Sequence, residues 1–236
     1  MPVDKSASRV RTMFAEIAGR YDLLNRLLSL GIDRSWRRHT VRLVPPSQEE
    51  PVLDVCAGTG DLALAYWRAG CGRVRVVAAD FCRPMLLVGA KKARRAGADV
   101  GVAWVEADAQ HLPFPDGTFQ IVSVAFGLRN VSDTDRGLRE MARVCRPGGR
   151  VAVLEFSMPR WQPLRAVYGW YFRRILPRVG QALARNRQSA YNYLPASVGE
   201  FPEGEAMAER MRGAGLKEVR FYRFTLGIAT LYVGVK

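Results

Sequence analysis

Short apolar runs alternate with longer stretches of helical period through residues 51 to 156. The runs near 51–56, 73–79, 101–106, 119–125 and 149–156 predict strands, and the stretches near 60–69, 83–96 and 133–145 predict helices between them. Such alternation predicts a parallel sheet with right-handed crossovers, which binds its ligands at the carboxyl ends of the strands. Ahead of it, residues 8–30 place Val10, Met13, Phe14, Ile17, Tyr21, Leu24, Leu27, Leu28 and Leu30 at helical spacing, with Gly31 as a stop. A second short helix, about Asp33 to Leu43, ends before Pro45-Pro46. Behind the alternating region come a basic, aromatic insertion, a helix near 203–213, and two strands near 217–225 and 228–235 with Gly227 at their turn. The expectation is one α/β domain: a helical cap (1–46), a core (47–156), a helical insertion (157–202) and a closing helix and hairpin (203–236). The sheet is then Rossmann-like, seven-stranded and mostly parallel.

The first strand runs into Gly58-Thr59-Gly60, and the next helix follows at once. Glycines here allow positive φ and close backbone approach, and a helix start presents free N–H groups to a ligand. About twenty residues on, the second strand ends in Asp80, followed by Phe81; an acid at that tip can accept both hydroxyls of a ribose. Gly58-x-Gly60-x-x-Ala63 also satisfies the loose dinucleotide pattern. Asp54, four residues before the first glycine, separates the two readings. It would crowd a pyrophosphate, and it suits the ammonium of S-adenosylmethionine. Asp108 and Ala109, after the third strand, place a carboxylate to receive an adenine amino group. The cofactor expected is therefore S-adenosylmethionine, held by Asp54, Gly58, Gly60, Asp80, Phe81, Asp108 and Ala109. Each acid alone also has the plainer reading of a loop acid or helix cap.

Charge then narrows the partners. Lys and Arg number 36 against 22 Asp and Glu, a net charge of +14, which implies an anionic partner without choosing among nucleic acid, membrane surface and small anion. Cys56, Cys71, Cys82 and Cys145 lack metal-ligand spacing, so no metal site is expected, and a reduced cytoplasmic compartment is. No apolar run reaches the eighteen residues of a membrane span, and no signal-peptide pattern opens the chain. Between Phe156 and Gly199 there is no acid, while Arg160, Arg165, Arg173, Arg174, Arg178, Arg185 and Arg187 interleave with Trp161, Tyr168, Trp170, Tyr171 and Phe172. Three readings stay open there: contact with anionic lipid, core packing beneath a solvated arginine face, and stacking on single-stranded RNA. In the cap, Tyr21, Asn25 and Trp36 are candidates for lining a substrate pocket, with capping and packing as the plainer alternative. His111 has no evident partner and reads as a loop residue.

Several longer segments resemble the ubiquinone and menaquinone biosynthesis C-methyltransferase family, most closely its demethylmenaquinone methyltransferase branch. They are Met13-Phe14 with Ile17-Ala18, Arg20-Tyr21-Asp22-Leu23-Leu24-Asn25, Leu30-Gly31-Ile32-Asp33 with Trp36-Arg37, Phe126-Gly127-Leu128-Arg129-Asn130-Val131, Leu154-Glu155-Phe156-Ser157, and Tyr193-Leu194-Pro195 with Ser197 and Phe201-Pro202. The resemblance runs nearly end to end. It implies a class I S-adenosylmethionine-dependent methyltransferase fold, cofactor contacts on Thr59, Asp80, Asp108 and Ala109, and catalytic or substrate roles for Arg129 and Asn130. The chain departs from the family pattern at Ala125, where some members have serine, and at Tyr232, where histidine is usual.

The activity implied is C-methylation of a lipid-soluble, polyprenylated quinol, demethylmenaquinol first and a benzoquinol second. The expected setting is the cytoplasmic face of an anionic membrane, with a homo-oligomer or a quinone-biosynthesis complex as possible company and no nucleic-acid partner. An RNA methyltransferase and a non-catalytic scaffold are the competing classes. Arg129 is expected to stabilise a quinolate oxygen and Asn130 to orient the ring; the plainer reading pairs Arg129 with an acid such as Asp133.

Overall fold

The computed structural model describes residues 4–47, 50–175 and 190–236. Its centre is a seven-stranded sheet of β1 (Val52–Val55), β2 (Val76–Asp80), β3 (Val102–Glu106), β4 (Phe119–Ala125), β5 (Cys145–Phe156), β6 (Lys217–Phe224) and β7 (Ala229–Val235), in the order β3-β2-β1-β4-β5-β7-β6. Strands β1 to β5 are parallel; β7 runs antiparallel to β5, and β6 to β7. Sheet and strand positions follow the apolar runs because a sheet covered on both faces needs apolar residues on both sides of each central strand. In β1 the four residues are all buried. Leu53 and Val55 enter the layer packed by α6 (Thr134–Val144), while Val52 enters the layer packed by α4 (Asp61–Ala69).

The strand order reverses between β1 and β4, which opens a crevice at the carboxyl ends of β1, β2 and β4. The cap lies near that crevice. Its first stretch is not one helix but two, α1 (Ala7–Ile17) and α2 (Tyr21–Leu28), joined by a 3₁₀ turn over Ala18–Arg20 with Gly19 at its centre. The break lets Ile17 and Leu24 share one small core with Met13. Helix α3 (Ile32–Leu43) follows, entered through Gly31 at φ 75°. Helix α5 (Arg83–Arg95) connects β2 to β3.

The insertion supplies α7 (Gln162–Trp170), a π-helical turn over Tyr171–Ile175, and α8 (Ala190–Glu200), before α9 (Glu205–Gly213) returns the chain to the sheet. Its aromatic residues divide between two environments. Tyr168, Tyr171 and Phe172 pack with Met13 and Leu24, and Trp161 and Trp170 stand exposed. Arg178, Arg185 and Arg187, and the side chain of Arg173, lie outside the described residues. Tyr232 is buried in the core, where its hydroxyl accepts the Gly204 N–H at 2.7 Å. The hairpin turn at Thr225–Gly227 uses Gly227 at φ 95°.

Candidate active site

Leaving β1, the backbone takes positive φ at Cys56, Gly58 and Gly60, and α4 begins at Asp61. Gly60 has two reasons to be glycine: its φ of 75°, and the Trp104 ring, which would stand 2.3 Å from an added Cβ. Gly60 itself is packed under that ring and does not line the crevice; Gly58 and Thr59 do. The Thr59 hydroxyl faces the cap, donating to Asp22 at 2.5 Å and accepting from Lys92 at 3.1 Å. Lys92 also donates to Asp22 at 2.7 Å and to Asp61 at 2.6 Å. A polar knot from α2, the glycine loop, α4 and α5 thus closes the cap against the loop.

The expected acids converge on one cavity, with about 920 Å³ of empty space partly open to solvent. Asp54, buried in β1, accepts the Ala63 N–H at 3.0 Å and the Ser123 hydroxyl at 3.3 Å. Burial pushes its carboxyl up to about 7, against the pull of the Ala63 N–H. Asp80 accepts Gly58 N–H and Cys82 N–H, both at 2.8 Å, and burial raises it to about 6. Phe81, Asp108 and Ala109 line the same space, with Asp108 accepting Gln110 N–H at 2.9 Å.

These acids decide between the two cofactors. Asp54 and Asp80 take their hydrogen bonds from backbone N–H groups and a serine hydroxyl, with Arg37 acting on Asp54 only through space, so both carboxylates keep acceptor capacity for a ligand's ammonium or hydroxyls. S-adenosylmethionine, with ammonium, sulfonium, ribose diol and adenine amine, matches that donor and acceptor set, and a dinucleotide pyrophosphate does not.

A second cavity, with about 1300 Å³ of empty space, adjoins the first. Phe14, Tyr21, Arg37, Phe126 and Asn130 line both. Its walls are apolar and aromatic, from Met13, Ile17 and Leu28 to Phe156, Tyr168 and Phe172. Tyr21, Asn25 and Trp36 all line it. Asn25 hydrogen-bonds Tyr21, whose hydroxyl is held above the ordinary phenol range by burial. The Trp36 indole donates to Thr225 at 2.7 Å, and its ring lies 5.9 Å from Phe126 and 6.0 Å from Phe156, which makes it a fixed wall.

Arg129 and Asn130 sit in a 3₁₀ turn after β4 and also line the second cavity. The acid beside Arg129 is Glu155 of β5, not Asp133. Its carboxylate accepts the guanidinium at 2.8 Å and the Arg129 backbone N–H at 3.2 Å, while Asp133 caps α6 through Arg136 N–H. A second guanidinium N–H bond goes to the Phe126 carbonyl. The Arg129 Nε and the Asn130 Oδ1 are buried with no partner in the protein. Buried polar atoms of this kind are what a ligand's oxygen or hydroxyl satisfies.

Sequence reasoning assigned no role to Glu155, Arg37 or the Asp22–Lys92 knot. Glu155 stood in a recognised segment but carried no spacing signal, since its pairing with Arg129 arises from the adjacency of β4 and β5. His111 lies on a loop bridge to Asp108, beside Arg136. Among the described residues no cluster of His, Cys, Asp and Glu could hold a metal ion.

A seven-stranded sheet of this order, with Asp54, Asp80 and Asp108 lining a crevice at its switch point, is a class I S-adenosylmethionine-dependent methyltransferase fold. Solved structures agree on the fold. A SAM-dependent methyltransferase from Thermotoga maritima superposes with a TM-score of 0.66 at 17% identity, over 95% of this chain and 98% of that one. One from Aquifex aeolicus gives 0.56 at 18% identity, over 80% and 84%.

The sequence comparisons go further. Residues 2–236 match the ubiE/COQ5 methyltransferase family, and the chain belongs to it. It is 47% identical over 222 residues to the demethylmenaquinone methyltransferase of Thermus thermophilus, covering 94% of this chain and 99% of that protein. It is 43% identical over 232 residues to the ubiquinone/menaquinone biosynthesis C-methyltransferase UbiE of Geobacter sulfurreducens, covering 98% and 90%.

Proposed function

We propose that this chain methylates a ring carbon of a polyprenylated quinol, with demethylmenaquinol as the acceptor and S-adenosylmethionine as the donor. The observation that carries the reading is the junction of two unlike cavities, one lined by acids and one walled by aromatic rings, with Arg129 and Asn130 beside it. The relatives support a quinone acceptor by their names, and the one at 47% identity is named for the naphthoquinone.

When bound, S-adenosylmethionine supplies an electrophilic methyl carbon beside the quinol ring. The chain has three tasks around it. Asp54, Asp80 and Asp108 hold the ammonium, ribose and adenine ends. The aromatic walls of the second cavity hold the ring at the junction and exclude water, and positioning of this kind can supply about 7 to 11 kcal/mol of a barrier. Arg129 stabilises the negative charge left on the ring oxygen when its proton passes to solvent, and Asn130 accepts a hydrogen bond that fixes the ring's orientation. As the ring carbon takes the methyl the sulfur–carbon bond would break, and that carbon's proton would then return the oxygen to its hydroxyl form by way of solvent. Arginine stays protonated at neutral pH, so Arg129 acts by charge and not as a base.

A lipid-soluble acceptor also sets where the enzyme works. A polyprenyl tail keeps the quinol in the bilayer, so it is met at a membrane surface, anionic to suit a chain of net charge +14; no helix among the described residues is long and apolar enough to cross a membrane.

The test is methyl transfer from labelled S-adenosylmethionine to reduced demethylmenaquinol, a demethylated benzoquinol and bulk RNA, in parallel and in detergent. Label in the naphthoquinol is expected. Label in the benzoquinol alone would move the enzyme to ubiquinone synthesis, and label only in RNA would refute the quinol reading.

A further inference from the structure

Helix α2 is apolar on two sides. Leu24 and Leu28 face inward to the small core and the aromatic cavity, while Leu23, Leu27 and Leu30 are exposed at 66%, 49% and 82%. Leu23 and Leu27, at i and i+4, lie on one outward face of the helix, and Leu30, in the turn just past its end at φ 52°, continues the stripe. A helix face of this composition is normally covered. Leu30 is at once the most exposed of the three and part of the cavity wall, so the stripe reaches the cavity mouth. Two other exposed apolar residues flank wall residues: Trp170, at 58%, precedes Tyr171, and Leu226, at 73%, lies two positions before Ile228. The Tyr171 hydroxyl, donating to the Leu28 carbonyl at 2.9 Å, ties the insertion to α2 at this rim.

We propose that this rim, centred on the outer leucines of α2, is the surface that docks on an anionic lipid bilayer and lets the quinol pass from the bilayer straight into the aromatic cavity. This rests on the quinol reading above. Charge selects lipid over a second copy of the chain. Arg26 and Arg34 are exposed beside the leucines, and the one acid of α2, Asp22, is occupied by Thr59 and Lys92. A two-fold dimer through this face would gather the arginines of both copies at one seam with no acid of α2 free to pair them, whereas anionic headgroups pair with them. Tryptophan at the rim suits the headgroup level. The docking element is therefore α2 with its apolar stripe, and the arginine-rich insertion contributes its exposed Trp170 at the edge.

The test uses full-length chain and Leu23→Gln/Leu27→Gln, two positions outside the cavity lining in a helix that tolerates glutamine. Cosedimentation with phosphatidylglycerol vesicles should show wild-type binding that weakens with salt, and binding at least tenfold weaker in the variant. Both chains should turn over a water-soluble, short-tailed demethylmenaquinol equally, while the variant loses turnover of long-tailed quinol presented in vesicles. Equal vesicle binding by the two chains, or no binding by wild type, would overturn the proposal. So would a dimer in sedimentation velocity that the substitutions abolish. Failure of both chains on the short-tailed quinol would count against the quinol reading, and the vesicle arm would still decide the docking face.

Discussion

Replacing Arg129 removes a buried charge and, on the function proposed above, a donor to the substrate, and the structure allows the two to be separated. The Arg129 and Glu155 side chains are 7% and 1% exposed. Arg129→Met would leave the Glu155 carboxylate buried without its partner, which costs about 3–5 kcal/mol. At about 2–4 °C per kcal/mol for a chain of this size, melting should fall by roughly 6–20 °C. Turnover should fall by about 10²–10³, the usual effect of losing one donor to a developing oxyanion. Arg129→Met/Glu155→Leu removes both charges and fills their space, a replacement that is often neutral or stabilising. The double variant should therefore regain most of the melting temperature while its kcat on demethylmenaquinol stays down by about the same 10²–10³. Thermal melts and initial rates under saturating cofactor read both quantities on the same preparations. A double variant that recovered wild-type turnover together with wild-type melting would refute the argument, because Arg129 would then matter only as the partner of Glu155.

Other outcomes follow from the cofactor end. With the Asp54 carboxyl raised to about 7, only about one-tenth of it is ionised at pH 6, so S-adenosylmethionine should bind about tenfold more weakly there than at pH 8 by calorimetry. The sign for folding is opposite. Asp54 and Asp80 have folded values above the unfolded 3.8, so the ligand-free chain should lose stability as pH rises from about 4 towards 7. Gly60→Ala places a Cβ 2.3 Å from the Trp104 ring at φ 75° and should cost about 1–3 kcal/mol in a denaturant melt. Asp22→Ala takes away the shared acceptor of Thr59 and Lys92; about 1 kcal/mol of cap docking should go with it, read as a several-fold rise in KM for both substrates.

The sheet was legible because buried parallel strands are short apolar runs, as β1, β2 and residues 151–154 of β5 are, although β5 itself begins earlier, at Cys145, through a polar stretch that carries no strand signal. The acid-lined crevice was legible because Asp54, Gly58, Asp80 and Asp108 each sit at a fixed place relative to a strand end. What stayed hidden depends on which strands become neighbours and which way a helix face turns. Glu155 meets Arg129 only because β5 lies beside β4. Thr59 lines the crevice, and the bond of its hydroxyl to Asp22, 37 positions away, carries no sequence signal. The aromatic stretch after Phe156 presented core and surface as alternatives, and the helix divides it: Tyr168 and Phe172, four apart, turn inward, and Trp170 between them turns out. Residues 8–30 read as one helical run, because apolar spacing continues through Ala18–Arg20 and hides the turn at Gly19.

The most direct measurement of the central claim is the site of the new methyl group. Demethylmenaquinol incubated with the chain and carbon-13-methyl S-adenosylmethionine should yield menaquinol with the label bonded to a ring carbon, as nuclear magnetic resonance of the extracted product would show. Label in a methyl ether, or none in the quinol, would contradict the account.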